Sequence, residues 1–167
     1  MRMNPVVKYF TGEKAESYLF IGMGLVALVM AVYFVVVLKT SFWKGVAIPF
    51  ALVACLEFVV GYTIVTRSPK DILRVEKFIQ TEPQKIASDE VPRMTKVMSN
   101  FVVFRYVEIA LIILGIGLMY SSMQDILWRG IGLGLFIQAG IVLCLDFFAE
   151  RRGNIYLEYL KEFTDRL

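Results

Sequence analysis

Apolar side chains gather into four long stretches, residues 17–38, 42–65, 101–120 and 126–148, and polar residues fill what lies between. At about 1.5 Å per helical residue, each stretch can cross a hydrocarbon core about 30 Å thick. A soluble domain of 167 residues has no use for four such stretches. The pattern predicts an all-α membrane protein. Its expected form is a single four-transmembrane-helix bundle over residues 1–167, with a helical loop at 67–100 and an amphipathic segment at 154–167. The first stretch follows mixed residues, exceeds a typical signal-peptide core and lacks a small-residue cleavage site, so it reads as a retained anchor.

Polar punctuation predicts short helices in the middle loop. Ser68-Pro69-Lys70-Asp71 has the S-x-x-D capping pattern with proline at the first helical position. A helix is expected to start there and run to about Gln80, with Ile72, Val75 and Ile79 on one face. Thr81-Glu82-Pro83-Gln84 repeats the signal as T-x-x-Q, and Val91-Pro92 breaks the chain again. Ser122-x-x-Asp125 caps the fourth span, and Gly153 is a stop signal after it. Beyond it, Tyr156, Leu160, Phe163 and Leu167 share one stripe, with Glu158, Lys161, Glu162 and Asp165 elsewhere. Three placements are open: on the inner membrane surface, against the middle loop, or as a solvated end of the fourth helix.

Small residues mark where helices touch, because lipid tails leave close packing as the main attraction between them. Candidates are Gly24, Ala27 and Ala31 in the first span and Ala47, Ala51, Ala54 and Gly61 in the second. Gly115 and Gly117 serve the third; Gly130-x-x-x-Gly134, Ala139 and Gly140 serve the fourth. Trp43-Lys44-Gly45-Val46 opens the second span, and Trp128-Arg129-Gly130-Ile131 opens the fourth. Either two helix pairs are duplicated, or tryptophan and basic residues mark the same interface twice.

Composition agrees with a membrane protein, at 57% hydrophobic and 20% charged residues and a mean hydropathy of +0.64. Charge then sets the orientation. The N-terminus, middle loop and C-terminus hold fourteen basic residues, among them Arg67, Lys70, Arg74, Lys77, Lys85, Arg93 and Lys96. The other side holds Lys39, Lys44 and Arg129, and Arg105 lies within the third span. Both termini are therefore expected in the cytoplasm. The outer loops, at 39–42 and 121–125, are too short for an external receptor or catalytic domain. A plasma membrane, of the bacterial inner type, is the expected location. The basic residues flank the spans, so anionic lipid headgroups are the expected partner and nucleic acid is not.

Charges inside the spans are the candidate chemistry. Glu57 and Glu108 each lie about 13 Å from the inner ends of their helices. Arg105 sits one turn from Glu108 on the same face, and Asp146 lies near the inner end of the fourth span. An unpaired ion at membrane depth costs at least about 2.5–3.5 kcal/mol, so such residues seek the bundle interior and each other. The expectation is one inner-leaflet polar cluster of Glu57, Arg105, Glu108 and Asp146. Tyr62, Glu150 and Arg151 form its rim, and Gln138 lies two turns above Asp146. Three acids against one arginine are unbalanced, so a proton or a cation completes the site. The alternative role is an arginine pairing that only locks the helices.

Absences narrow the chemistry. With no histidine, His-ligated haem, zinc–histidine sites and Ser-His catalysis are excluded. Cys55 and Cys144 lie in different spans and read as small apolar core residues. No phosphate-cradling glycine loop exists outside the spans, and no cofactor is implied. A carboxylate site for a hard cation at Glu57, Glu108 and Asp146 is possible, but the metal is undetermined. Three functions compete: a non-enzymatic accessory, regulatory or immunity-type protein acting on another membrane protein or on its own copies; a proton- or cation-coupled carrier or channel; and a lipid-modifying enzyme at the inner interface.

Overall fold

A computed structural model describes residues 4–120 and 125–166, and these are all-helical apart from short turns. Helix α1 covers Pro5–Tyr33, α2 Ser41–Thr81, α3 Val91–Tyr120 and α4 Ile126–Thr164. All four are long and apolar enough to cross a membrane, which makes the chain an integral multi-pass membrane protein. At 41 and 39 residues, α2 and α4 reach about 60 Å, twice a hydrocarbon core. Their far halves project beyond the apolar zone as one polar end of the bundle.

The helices are ordered α1–α2–α4–α3. α1 packs on α2, α2 on α4 and α4 on α3, with a lesser α1–α4 contact. Among the described residues, the α3 backbone comes close to neither α1 nor α2; only side chains of its first turns, such as Met94, reach them, at the polar end. Glycine permits each close approach. A Cβ on Gly115 would lie 2.7 Å from the Gly132 carbonyl oxygen, one on Gly61 would lie 2.9 Å from that of Ser17, and one on Gly134 would lie 2.8 Å from that of Val46. Ala27, Ala31, Ala47 and Ala54 are buried in these seams, whereas Gly117 and Gly140 face open space. The glycines of the two matching tetrapeptides, Gly45 and Gly130, meet each other across α2 and α4.

At the short-loop end, α1 closes in a π-helical turn, Phe34–Leu38, and Lys39 takes the left-handed φ of 57°. Thr40 then caps α2 by accepting from the Trp43 amide at 3.4 Å. Phe34 packs tilted against Trp43 and edge-on against Phe50, with ring centroids 4.7 and 5.8 Å apart, and fills this corner. Asp125 caps α4 by accepting from the Leu127 amide. Its expected partner signal at Ser122 lies outside the described residues.

The polar end departs most from the sequence reading. No new helix starts at Ser68; α2 runs unbroken through Pro69 to Thr81. The Ser68 hydroxyl donates back to the Ile64 carbonyl at 2.7 Å, and Asp71 pairs with Arg67 and Arg74 instead of capping. Pro83 does mark a turn after α2, but a π-helical turn, Ile86–Glu90, leads directly into α3 across Val91-Pro92. The Val91 amide still donates back to the Ile86 carbonyl, so the helical path continues across this junction. Gly153 stops nothing. α4 continues to Thr164, and Gly153 lets Met98 approach, with its Sδ 2.7 Å from where a Cβ would be.

These extensions build a second core. Val6, Tyr9 and Phe10 of α1 join Val75, Ile86 and Met94, and Tyr156, Leu157 and Leu160 of α4 close it. Tyr9 and Tyr156 stack with centroids 4.2 Å apart. The C-terminal stripe thus docks on the other helix ends; its last member, Leu167, lies outside the described residues. The Ile72–Val75–Ile79 face belongs to the same core, so it is spent inside the chain.

Candidate functional site: acids in two helix seams

The intramembrane charges divide between two seams. Glu57 lies between α1 and α2, 4% exposed. Gly24 makes its room, since a Cβ there would sit 3.1 Å from Glu57 Oε2. Neither Glu57 oxygen has a hydrogen-bond partner. Arg105, Glu108 and Asp146 lie together between α3 and α4, where they line a groove of about 430 Å³ with Glu150. Glu57 takes no part in that groove. Glu57 and Glu108 lie at equal depths along their helices, but at that depth α2 and α3 are not neighbours.

The groove has two rungs. At the polar end, Arg105 of α3 forms an ion pair with Glu150 of α4. About one turn deeper, the Glu108 and Asp146 carboxyls lie side by side and interact directly. Glu108 is 6% exposed, and its Oε2 has no hydrogen-bond partner. Three acids therefore share the groove with one arginine, and that arginine is engaged by the outermost acid.

The expected rim residues scatter. Tyr62 is 70% exposed on the outer surface of α2, because its position on the helix points away from both seams. Arg151 is exposed, and the inward basic residue is its neighbour Arg152, which donates to Glu16 of α1 at 2.6 Å. Gln138 is buried, with its Nε2 unpartnered. Cys55 and Cys144 are exposed on the helix flanks, not in a core, and Cys144 lines the groove. Among the described residues no three His, Cys, Asp or Glu side chains converge to hold a metal ion. The hard-cation site imagined at Glu57, Glu108 and Asp146 is therefore not assembled.

A second charged assembly, absent from the sequence reading, lies at the polar end. Glu90 is 1% exposed. Its carboxylate accepts from Arg93 at 2.6 and 3.0 Å, from Arg74 at 3.2 Å and from the Tyr156 hydroxyl at 3.2 Å. Asp71 extends it by pairing with Arg74 at 2.9 Å and Arg67 at 3.0 Å, and Arg67 also reaches Glu13. Burial opposes the Arg93 charge, but bonding to Glu90 outweighs it and holds the guanidinium firmly protonated. Burial, then the Glu90 charge, raises the Tyr156 hydroxyl far above its usual range. The available signal was local: Arg67, Asp71 and Arg74 at i, i+4 and i+3 spacing, and Glu90 with Arg93 at i, i+3. Assigning Asp71 to a helix cap hid it.

Comparison with known proteins finds no family model, no curated protein and no solved structure that matches the chain.

Proposed function

We propose that the chain is a non-enzymatic membrane interaction protein, an accessory, regulatory or immunity-type factor that presents α3 to a partner helix. One observation carries this reading. Only 11% of the apolar stretch leading through α3 is buried within the chain, against 22% for each of the other three. A charged helix held on one side alone has packing surface to offer, since membrane helices associate by close packing and interhelical polar contacts.

The partner is another membrane protein or a second copy. Both termini and the packed helix ends lie in the cytoplasm, where basic residues meet anionic headgroups of a plasma membrane of the bacterial inner type. Conduction is the weaker reading. Glu57 and the Glu108–Asp146 pair occupy different seams, whereas a path needs polar groups in one file with two openings. Lipid modification is weaker still: Cys144 shares the α3–α4 groove with Glu108 and Asp146, but the chain has no histidine to activate it.

Proteoliposomes test this against the carrier reading. Proton- and cation-driven flux should stay at the level of empty vesicles for the wild type. Flux that Glu57→Gln or Glu108→Gln abolishes would replace the proposal with a carrier.

A further inference from the structure

The α3–α4 groove holds three carboxyl groups against one arginine, and the chemistry of its walls limits what besides a proton can supply the balance. Glu108 and Asp146 form its floor, and Phe101, Ile109, Leu143 and Phe147 its sides. Its volume of about 430 Å³ falls within the range of small-molecule sites, roughly 300–1,000 Å³. The Glu108 Oε2 is an orphan acceptor on a side chain more than nine-tenths buried. A buried acceptor left unmet is costly, so a donor is the missing element.

Four facts then select the ligand. The carboxyls call for positive charge. The orphan oxygen calls for a hydrogen-bond donor, which an ammonium N–H supplies together with the charge. The aliphatic and aromatic sides call for an apolar body, and aromatic faces also attract cations. A bare metal ion is not served, because no three ligating side chains converge among the described residues.

A phospholipid headgroup is the obvious rival source of an ammonium, and the order of charges argues against it. In an aminophospholipid lying normally in the leaflet, the phosphate sits deeper than the ammonium. Here the arginine lies in the outer rung and the Glu108 and Asp146 carboxyls lie about 5 Å deeper, given the three-residue step from Arg105 to Glu108. The groove presents the two charges in reverse order.

We propose that the groove between α3 and α4 binds a hydrophobic organic ammonium ion, with Glu108 and Asp146 receiving its N–H group and Phe101 and Phe147 packing on its body. The ion pair of Arg105 and Glu150 closes the end nearest the polar zone. Binding is independent of the partner assigned to α3.

Equilibrium dialysis of the full chain in phosphatidylcholine nanodiscs tests this, with empty nanodiscs as baseline. The probes are imipramine (a protonated tertiary amine at neutral pH), tetraphenylphosphonium (a cation without an N–H) and tetraphenylborate (an anion of similar body). Imipramine should saturate at one site per chain, tetraphenylphosphonium should bind more weakly, and tetraphenylborate should not saturate. Glu108→Gln and Asp146→Asn, each checked by its unfolding midpoint, should weaken imipramine at least about tenfold. Glu57→Gln, in the other seam, should leave it unchanged. Absence of saturable imipramine binding, or equal affinity in a folded Glu108→Gln or Asp146→Asn protein, would overturn the proposal. So would tetraphenylphosphonium binding as tightly as imipramine. Competition by added phosphatidylethanolamine would assign the groove to a headgroup and equally overturn it.

Discussion

Gly45 and Gly130 face each other where α2 crosses α4: a Cβ built on Gly45 would lie 3.1 Å from the Gly130 Cα. This contact joins the α1–α2 pair to the α3–α4 pair, and backbone, not side chain, stands opposite each glycine. Backbone cannot yield as a flexible side chain does, so an added methyl must push the helices apart.

Gly130→Ala should therefore destabilise the folded chain by about 1–3 kcal/mol, the usual cost of overpacking. Gly140→Ala and Gly117→Ala, which meet nothing within 4 Å, should be neutral or slightly stabilising. Thermal unfolding in one detergent compares all three. Equal midpoints would mean that α2 and α4 do not meet at these glycines.

The polar-end network predicts unequal costs. Glu90→Gln weakens the pairing of two arginines at a buried site and should cost about 3 kcal/mol. Tyr156→Phe removes one hydroxyl from a carboxylate that keeps its arginines, so about 1–2 kcal/mol is expected. A double-mutant cycle should show the two changes to be coupled, because the hydroxyl donates to Glu90 itself. Additive losses would mean that the two groups act independently.

Glu13 gives the stability a pH dependence of definite sign. Burial is the largest influence on its carboxyl and raises it above the usual 4.5, while Arg67, Arg93 and Arg152 oppose that and Asp71 adds to it. The folded chain thus holds this proton more tightly than the unfolded chain. Its contribution to stability is complete below the unfolded value and is lost as pH rises through the folded one. Glu13→Gln removes that loss. Its unfolding midpoint relative to the wild type should therefore rise as pH is raised above the usual value of 4.5. A falling difference would show that the Arg67 pairing, not burial, governs Glu13.

The four helices were legible because a membrane crossing demands a long apolar run, and nothing in a chain of this size imitates four of them. The polar-end core was not. Val6, Tyr9 and Phe10 lie in a short, mixed prelude to the first span, and their partners Val75, Met94 and Leu160 are distant in sequence. Ser68-Pro69 carried a local helix-start signal that tertiary packing overrode, since α2 gains more by continuing along the core. Sequence puts Glu57 and Glu108 at one depth because it gives position along each helix. It does not give the order of the helices around the bundle, and that order separates them. Glu108, Asp146 and Arg105 came together because α3 and α4 are joined by a short connection and pack antiparallel.

Orientation can be read by chemical labelling. In a variant lacking Cys55 and Cys144, a cysteine at Thr40 should react with an impermeant thiol reagent added outside intact cells. A cysteine at Ser88 should react only after the membrane is opened. Both positions are exposed, so access alone is tested. Ser122, on the other expected outer loop, should behave like Thr40. External labelling at Ser88 would invert the arrangement of basic residues.

The most direct test of α3 as a presenting surface is site-specific photo-cross-linking in native membranes. A photoreactive residue at Val103 or Ile113 of α3, which are 56% and 64% exposed, should give one adduct of discrete mass, with a partner or with a second copy. The same residue at Val29 of α1, which is 60% exposed, should give only lipid adducts. Lipid adducts alone at Val103 and Ile113 would contradict the account.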